Sequence, residues 1–164
     1  MKRWTSHDHF EAPIERVFDL TTDPLRMVEM LPSIDTISEV RGKGDAVGDS
    51  FRFRDRVLGR TMIGTTVVTG ARRPLLQTTE TTYEDGSNVT WTMRFHDAGA
   101  GTNVDNEVTY ESPPGALSHL RAMIIGPFVE HRLRRSAYLF REMLERDESA
   151  SGQGTGRPLV PSGR

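Results

Sequence analysis

The sequence predicts an α+β domain: one strand, two short helices, an antiparallel meander of six further strands and a long C-terminal helix. Three observations carry this. Apolar and polar residues alternate through much of residues 33–111, the period of a half-buried strand. Turn-forming residues punctuate that stretch at short intervals. Beyond Ser112-Pro113-Pro114-Gly115 the composition becomes helix-rich and apolar residues recur at helical spacing.

Taken in order, Trp4 to Phe10 reads as extended chain. Ala12-Pro13 marks a helix start, because proline at the first helical position forfeits no hydrogen bond and presets φ. Ile14, Val17, Phe18 and Thr21 follow at helical spacing. Asp23-Pro24 repeats the device, with Asp23 as cap and Met27, Val28 and Leu31 as the next short apolar stripe. Turn signals at 42–48, 58–59, 72–74, 84–87 and 98–101 then delimit the strands. Phe51 and Phe53 alternate with Arg52 and Arg54; Val89, Trp91, Met93 and Phe95 alternate with Thr90, Thr92 and Arg94; Val104, Asn106, Val108 and Tyr110 share one phase. The terminal helix is expected to reach about Arg146, with Leu133, Ala137, Phe140 and Leu144 on its apolar stripe. Pro127 should bend it, turning Phe128 inward. Residues 1–147 are read as the domain, and residues 148–164, rich in Gly, Ser and Pro, as a disordered polar tail.

Composition excludes several function classes. At 164 residues, 35% of them hydrophobic, the chain makes one globular domain with a sizeable core. A net charge of -2 gives no global reason to bind nucleic acid or an anionic membrane surface. Without cysteine there is no disulfide, thiolate metal site or cysteine nucleophile, which agrees with a reducing compartment. The opening MKRWTSHDHF lacks the apolar run of a secretory signal, and no segment approaches the roughly 18 apolar residues of a membrane span. The expectation is a soluble, cytoplasmic protein with no integral membrane association. No phosphate loop, G-x-S-x-G elbow, H-E-x-x-H helix or dinucleotide fingerprint occurs, so no cofactor is expected.

The residues at the joints carry a resemblance. Phe10-Glu11-Ala12-Pro13-Ile14-Glu15-Arg16-Val17-Phe18, Asp23-Pro24 and Met30-Leu31-Pro32-Ser33-Ile34 resemble the opening of the polyketide cyclase/dehydrase (SRPBCC) branch of the START-like superfamily. Val47-Gly48-Asp49-Ser50-Phe51 resembles its third-strand entry, and Ile124-Ile125-Gly126-Pro127-Phe128 its terminal helix. The resemblance spans residues 3–146 and implies a helix-grip fold, in which a curved antiparallel sheet of about seven strands wraps the long helix around a ligand cavity. Its members include hydrophobic-ligand carriers, lipid-transfer domains, aromatic polyketide cyclases and quinone-binding proteins, and fold alone does not choose among them.

Several side chains are candidates for chemistry. His7 and His9 project from one face of a strand and could share a metal, but two imidazoles make an incomplete site and solvated terminal residues explain them as well; no metal is expected. Asp8 lies on the opposite face with Phe10, which the resemblance turns inward. Desolvation raises the pKa of a carboxylate facing an apolar cavity, as an acid–base catalyst requires; a bend in the first strand, or pairing with a cationic neighbour, is the competing account. Asn106, in phase with Val104, Val108 and Tyr110, either anchors a ligand or bonds neighbouring backbone. His119 and His131, twelve positions apart on the helix, lie about 120° apart around its axis and cannot share a site without help from a bend at Pro127. Arg132, Arg134, Arg135, Arg141 and Arg146 read as the helix's solvated face. Thr78, Thr79, Thr81 and Thr82 are strand formers whose hydroxyls could reach the cavity.

The leading expectation is a binding protein for a hydrophobic small molecule, lipid-like or aromatic. Its site would comprise Phe10, Trp91, Met93, Phe95, Asn106, Val108 and Tyr110 from the sheet, with Ile124 and Phe128 from the helix. The alternatives are a cyclase or dehydratase acting in the same cavity, for which Asp8 is the one catalytic candidate, and a protein-interaction module. Monomer and homodimer are both left open.

Overall fold

The computed structural model describes residues 1–113, 115 and 118–152, with the side chains of residues 118–124 and 152 outside that description. In chain order the elements are β1 (Lys2–Phe10), α1 (Ile14–Thr22), a 3-10 turn (Pro24–Arg26), α2 (Met27–Met30), β2 (Ile34–Arg41), β3 (Ser50–Val57), β4 (Arg60–Arg72), β5 (Leu76–Tyr83), β6 (Asn88–Asp97), β7 (Thr102–Glu111) and α3 (Ser118–Gly152). The meander falls between the turns that its glycines and prolines mark. The strands form one antiparallel sheet in the order β1-β7-β6-β5-β4-β3-β2, curved around α3.

β1 pairs with the last strand, Trp4 opposite Val108 and Asp8 opposite Val104, so the first and last strands lie side by side. Alternation along β1 is as the sequence reads: Trp4, Ser6, Asp8 and Phe10 are the more buried set, while Thr5, His7 and His9 are exposed. Pro13 sits one position earlier than expected, as the N-cap of α1 with ψ 147, and its carbonyl accepts the Val17 N–H at 3.0 Å. Asp23 caps the 3-10 turn as expected, accepting from the Leu25 N–H at 2.9 Å.

The core lies between α1, the C-terminal half of α3 and one end of the sheet. Phe18 packs edge-on against Phe95, with centroids 5.1 Å apart, and Phe10 against Phe140 at 4.8 Å. Leu133, Ala137, Phe140, Met143 and Leu144 of α3 are buried. The larger of these side chains each contribute about 1.5–3 kcal/mol by burial, which anchors α3 over the sheet.

Two expectations about α3 need correction. The helix continues past Arg146 to Gly152, so the start of the presumed tail is helical. Asp147 holds Arg26 at 3.1 Å, Glu148 lies 3.7 Å from Arg16, and the hydroxyls of Ser149 and Ser151 donate to carbonyls four residues back. Ion pairs and back-bonded serines thus extend a segment whose composition reads as unstructured. Second, Arg132 and Arg141 leave the solvated face and turn toward the sheet, as described below. The helix is continuous through Pro127. Among the described residues no helix is long and apolar enough to cross a membrane.

Candidate functional site

Between the concave sheet face and α3 lies a cavity of about 600 Å³. The sheet supplies most of its wall because inward positions recur every second residue, and α3 closes it with residues four apart. Phe10, Trp91, Met93, Asn106, Val108, Tyr110 and Phe128 all line it, and so does Asp8. Phe95 points to the same side but does not reach the cavity; it is buried against Phe18 beneath α1. The side chain of Ile124 lies outside the described residues, as does that of His119; the neighbouring Ile125 is part of the wall.

Polar groups gather at two places on this largely apolar surface. Toward β1, the Trp91 indole N–H donates to Asn106 Oδ1 at 3.0 Å. The Asn106 amide in turn approaches Ser6 Oγ at 3.3 Å and Asp8 Oδ2 at 3.4 Å, and Ser6 donates to Asp8 at 3.0 Å. Arg141 completes the network, 3.6 Å from Asp8 Oδ1, with its guanidinium over the Phe10 ring. Asp8 therefore faces inward yet has a cationic partner. Asn106 bonds side chains of two neighbouring strands, not backbone.

The second group is not legible as a site from sequence. Asp55, in phase with Phe51, Phe53 and Val57 on β3, is wholly buried and accepts from Arg132 Nη1 at 2.5 Å. Its other oxygen, Oδ1, is buried without a hydrogen-bond partner. Arg132 lines the cavity with its guanidinium over the Phe128 ring. Tyr83 and Tyr110 stand on the same wall, and neither hydroxyl has a partner among the described residues. Burial pushes the Tyr83 phenol up to about 12; Arg132 opposes this, while Asp55, Asp85 and Tyr110 add to it. Tyr83 is thus a neutral donor across the physiological range. A charged residue in phase with three apolar ones is the available signal, since a buried carboxylate needs a partner.

The convex face is different in kind. His7 Nδ1 lies 2.7 Å from Asp105 Oδ1 and His96 Nε2 lies 3.0 Å from Asp105 Oδ2, while His9 pairs with Asn103 at 2.7 Å. Both histidines of the opening strand thus face away from the cavity. Among the described residues no group of three or more side chains is arranged to hold a metal ion. Thr79 and Thr81 line the cavity, the latter bonded to Thr66 at 2.7 Å.

A curved antiparallel sheet closed by one long helix is the helix-grip architecture. Residues 1–145 match the family described as polyketide cyclase / dehydrase and lipid transport, and the chain belongs to it. Among solved structures it is similar to the Zhui aromatase/cyclase of Streptomyces sp. R1128, at 13% identity and TM-score 0.73, over 92% of this chain and 98% of that one. A protein of Thermus thermophilus aligns at 17% identity and TM-score 0.72, covering 86% and 95%. A START superfamily protein of Mycobacterium smegmatis aligns at 14% identity and TM-score 0.66, covering 88% and 97%. No curated protein matches the sequence. At these identities the likeness shows the fold.

Proposed function

We propose that this chain binds a hydrophobic small molecule, lipid-like or aromatic, in the cavity between sheet and α3. The observation that carries the reading is the cavity itself: about 600 Å³, walled by Phe10, Met93, Val108, Phe128 and other apolar side chains. That volume lies in the usual range for small-molecule sites, roughly 300–1,000 Å³, and apolar burial supplies the affinity. The family description, which joins cyclases with lipid transport, supports the same class of ligand.

A cyclase or dehydratase working in this space needs an acid–base group free to exchange protons with the ligand. Asp8, the sequence's one candidate, is engaged by Ser6, Asn106 and Arg141, which favours binding over turnover. Asp8→Asn distinguishes the readings: a binder keeps its affinity, whereas an enzyme that uses Asp8 loses turnover.

The test is native mass spectrometry of the purified protein for a co-purifying ligand, followed by titration of aromatic and fatty probes in a Trp4→Phe background. There Trp91 is the sole tryptophan, and its emission should shift saturably. Its N–H is committed to Asn106, so the ring face is what meets ligand. Trp91→Ala should weaken binding by about 1–3 kcal/mol beyond any loss of folding. Absence of saturable change with every probe would remove the reading.

A further inference from the structure

The Arg132, Tyr83 and Tyr110 group gives the cavity a chemical preference. We infer that these three side chains form a hydrogen-bond donor subsite that receives an uncharged carbonyl oxygen of the ligand, at the part of the cavity far from Asp8. The inference rests on the binding function proposed above and specifies which ligands it favours.

The argument is one of unspent donors. Arg132 offers five N–H groups in a fixed fork, and Asp55 takes only Nη1; the rest have no hydrogen-bond partner among the described residues. The Tyr83 and Tyr110 hydroxyls are likewise unpartnered there, and both residues line the same cavity. Polar groups facing an apolar space are normally paired, so three unpaired donors lining one cavity, two from the sheet and one from α3, call for an acceptor that the ligand brings. Asp55 Oδ1, also unpaired, is buried and Asp55 does not line the cavity.

Charge selects the kind of acceptor. The guanidinium is already neutralised by a carboxylate with no solvent exposure, so the pair presents N–H groups without net charge. An ionised ligand carboxylate would lose its hydration and meet Asp55 behind the cation, a cost that a neutral carbonyl avoids. Tyr83, held protonated up to about 12, stays a donor to such an oxygen over the whole physiological range. The subsite stands apart from the Asp8 network: Asp55 is on β3, with three strands between it and Asn106 on β7. Tyr110 shares β7 with Asn106 but lies four residues further along, roughly 13 Å of strand. A ligand directed by one group is therefore not also held by the other unless it is long.

Three matched probes test this by calorimetric titration: fluorene, 9-fluorenone, and fluorene-9-carboxylate. The expected result is that the ketone binds about tenfold tighter than the hydrocarbon, the scale of one to two neutral hydrogen bonds. In Tyr83→Phe/Tyr110→Phe the ratio of ketone to hydrocarbon affinity should fall severalfold, with Arg132 left as the remaining donor. Tyr83→Phe alone should give an intermediate ratio and serves if the double variant fails to fold. Equal binding of ketone and hydrocarbon by the unaltered protein, or an undiminished preference in the phenylalanine variants, would overturn the subsite while leaving the cavity reading intact. Tightest binding of the carboxylate would overturn the choice of an uncharged acceptor. Failure of all three to bind would remove the cavity reading itself.

Discussion

On the concave face of the sheet Asp55 meets Arg132 with its carboxylate wholly out of solvent, whereas on the convex face Asp105 meets His7 and His96 with two-fifths of its side chain exposed. The distances are similar, 2.5 Å inside against 2.7 and 3.0 Å outside. What differs is the medium. In the wall of an apolar cavity the attraction is strong but both ions have lost hydration, so the pair is costly to form and costlier to break. In water the attraction is screened and little is lost when a partner goes. One sheet thus carries an ion pair that constrains the fold and a set of charges that does not.

The largest expected effect follows from breaking the inner pair. Asp55→Ala or Arg132→Ala should lower unfolding stability by about 3–5 kcal/mol, since each leaves an uncompensated buried charge. Replacing both, as Asp55→Leu with Arg132→Met, should recover most of that loss, because well-packed apolar residues bury at no desolvation cost. Denaturant titration of the three variants measures it. Single losses under about 1 kcal/mol would mean that the inner pair is as well solvated as the outer group.

Tyr83 supplies the next effect, at alkaline pH. Its phenol is raised to about 12 in the folded chain against 10.0 ordinarily. Between these values the unfolded chain has released the proton and the folded chain has not, so the folded state binds more protons and stability falls as pH rises. The group's contribution is complete below pH 10 and is lost toward 12. Tyr83→Phe should remove about 2–3 kcal/mol of that alkaline loss, read as the difference between the two proteins' stabilities at about pH 9 and near 12. An unchanged difference would show that water reaches the phenol freely.

The contrast between the faces also explains what can be read from sequence. Parity groups the residues by face: the period-2 pattern sets Asp8 with Phe10 and opposite His7 and His9, and sets Trp91, Asn106 and Tyr110 with their apolar neighbours, while the inward direction of Phe10 comes from the resemblance. In the structure Asp8, Trp91, Asn106 and Tyr110 line the cavity. Parity says nothing about depth along a strand. Phe95 has the right parity, but its end of β6 lies under α1, where Phe18 covers it. Helix phase is legible only in part. With Phe128 inward, steps of four along α3 bring Arg132, Ser136 and Phe140 to the same wall, yet Arg132 stands beside Arg134 and Arg135 and its charge groups it with them. The Arg141 contact with β1 is equally hidden, because its partner Asp8 lies at the other end of the chain and pairing across a fold leaves no local trace.

The smallest effect belongs to the convex face, and its direction is fixed. The hydrogen bond from His7, aided by that from His96, holds the Asp105 carboxyl below its ordinary value of 3.8. A carboxylate with a depressed folded pKa contributes stability that is present above the unfolded value and is lost as pH falls through the folded one. Asp105→Asn should therefore cost less than about 1 kcal/mol near neutrality, the usual scale for exposed pairs, and its difference from the parent should shrink as pH drops below 3.8. Added salt should shrink it too, since nothing shields these groups from mobile ions. The same salt should leave the cost of Asp55→Ala nearly unchanged, because mobile ions do not enter the wall where that carboxylate is buried. A parallel denaturant series for the two variants at low and high ionic strength makes that separation directly, and equal salt sensitivity in both would show that the two faces share one dielectric environment.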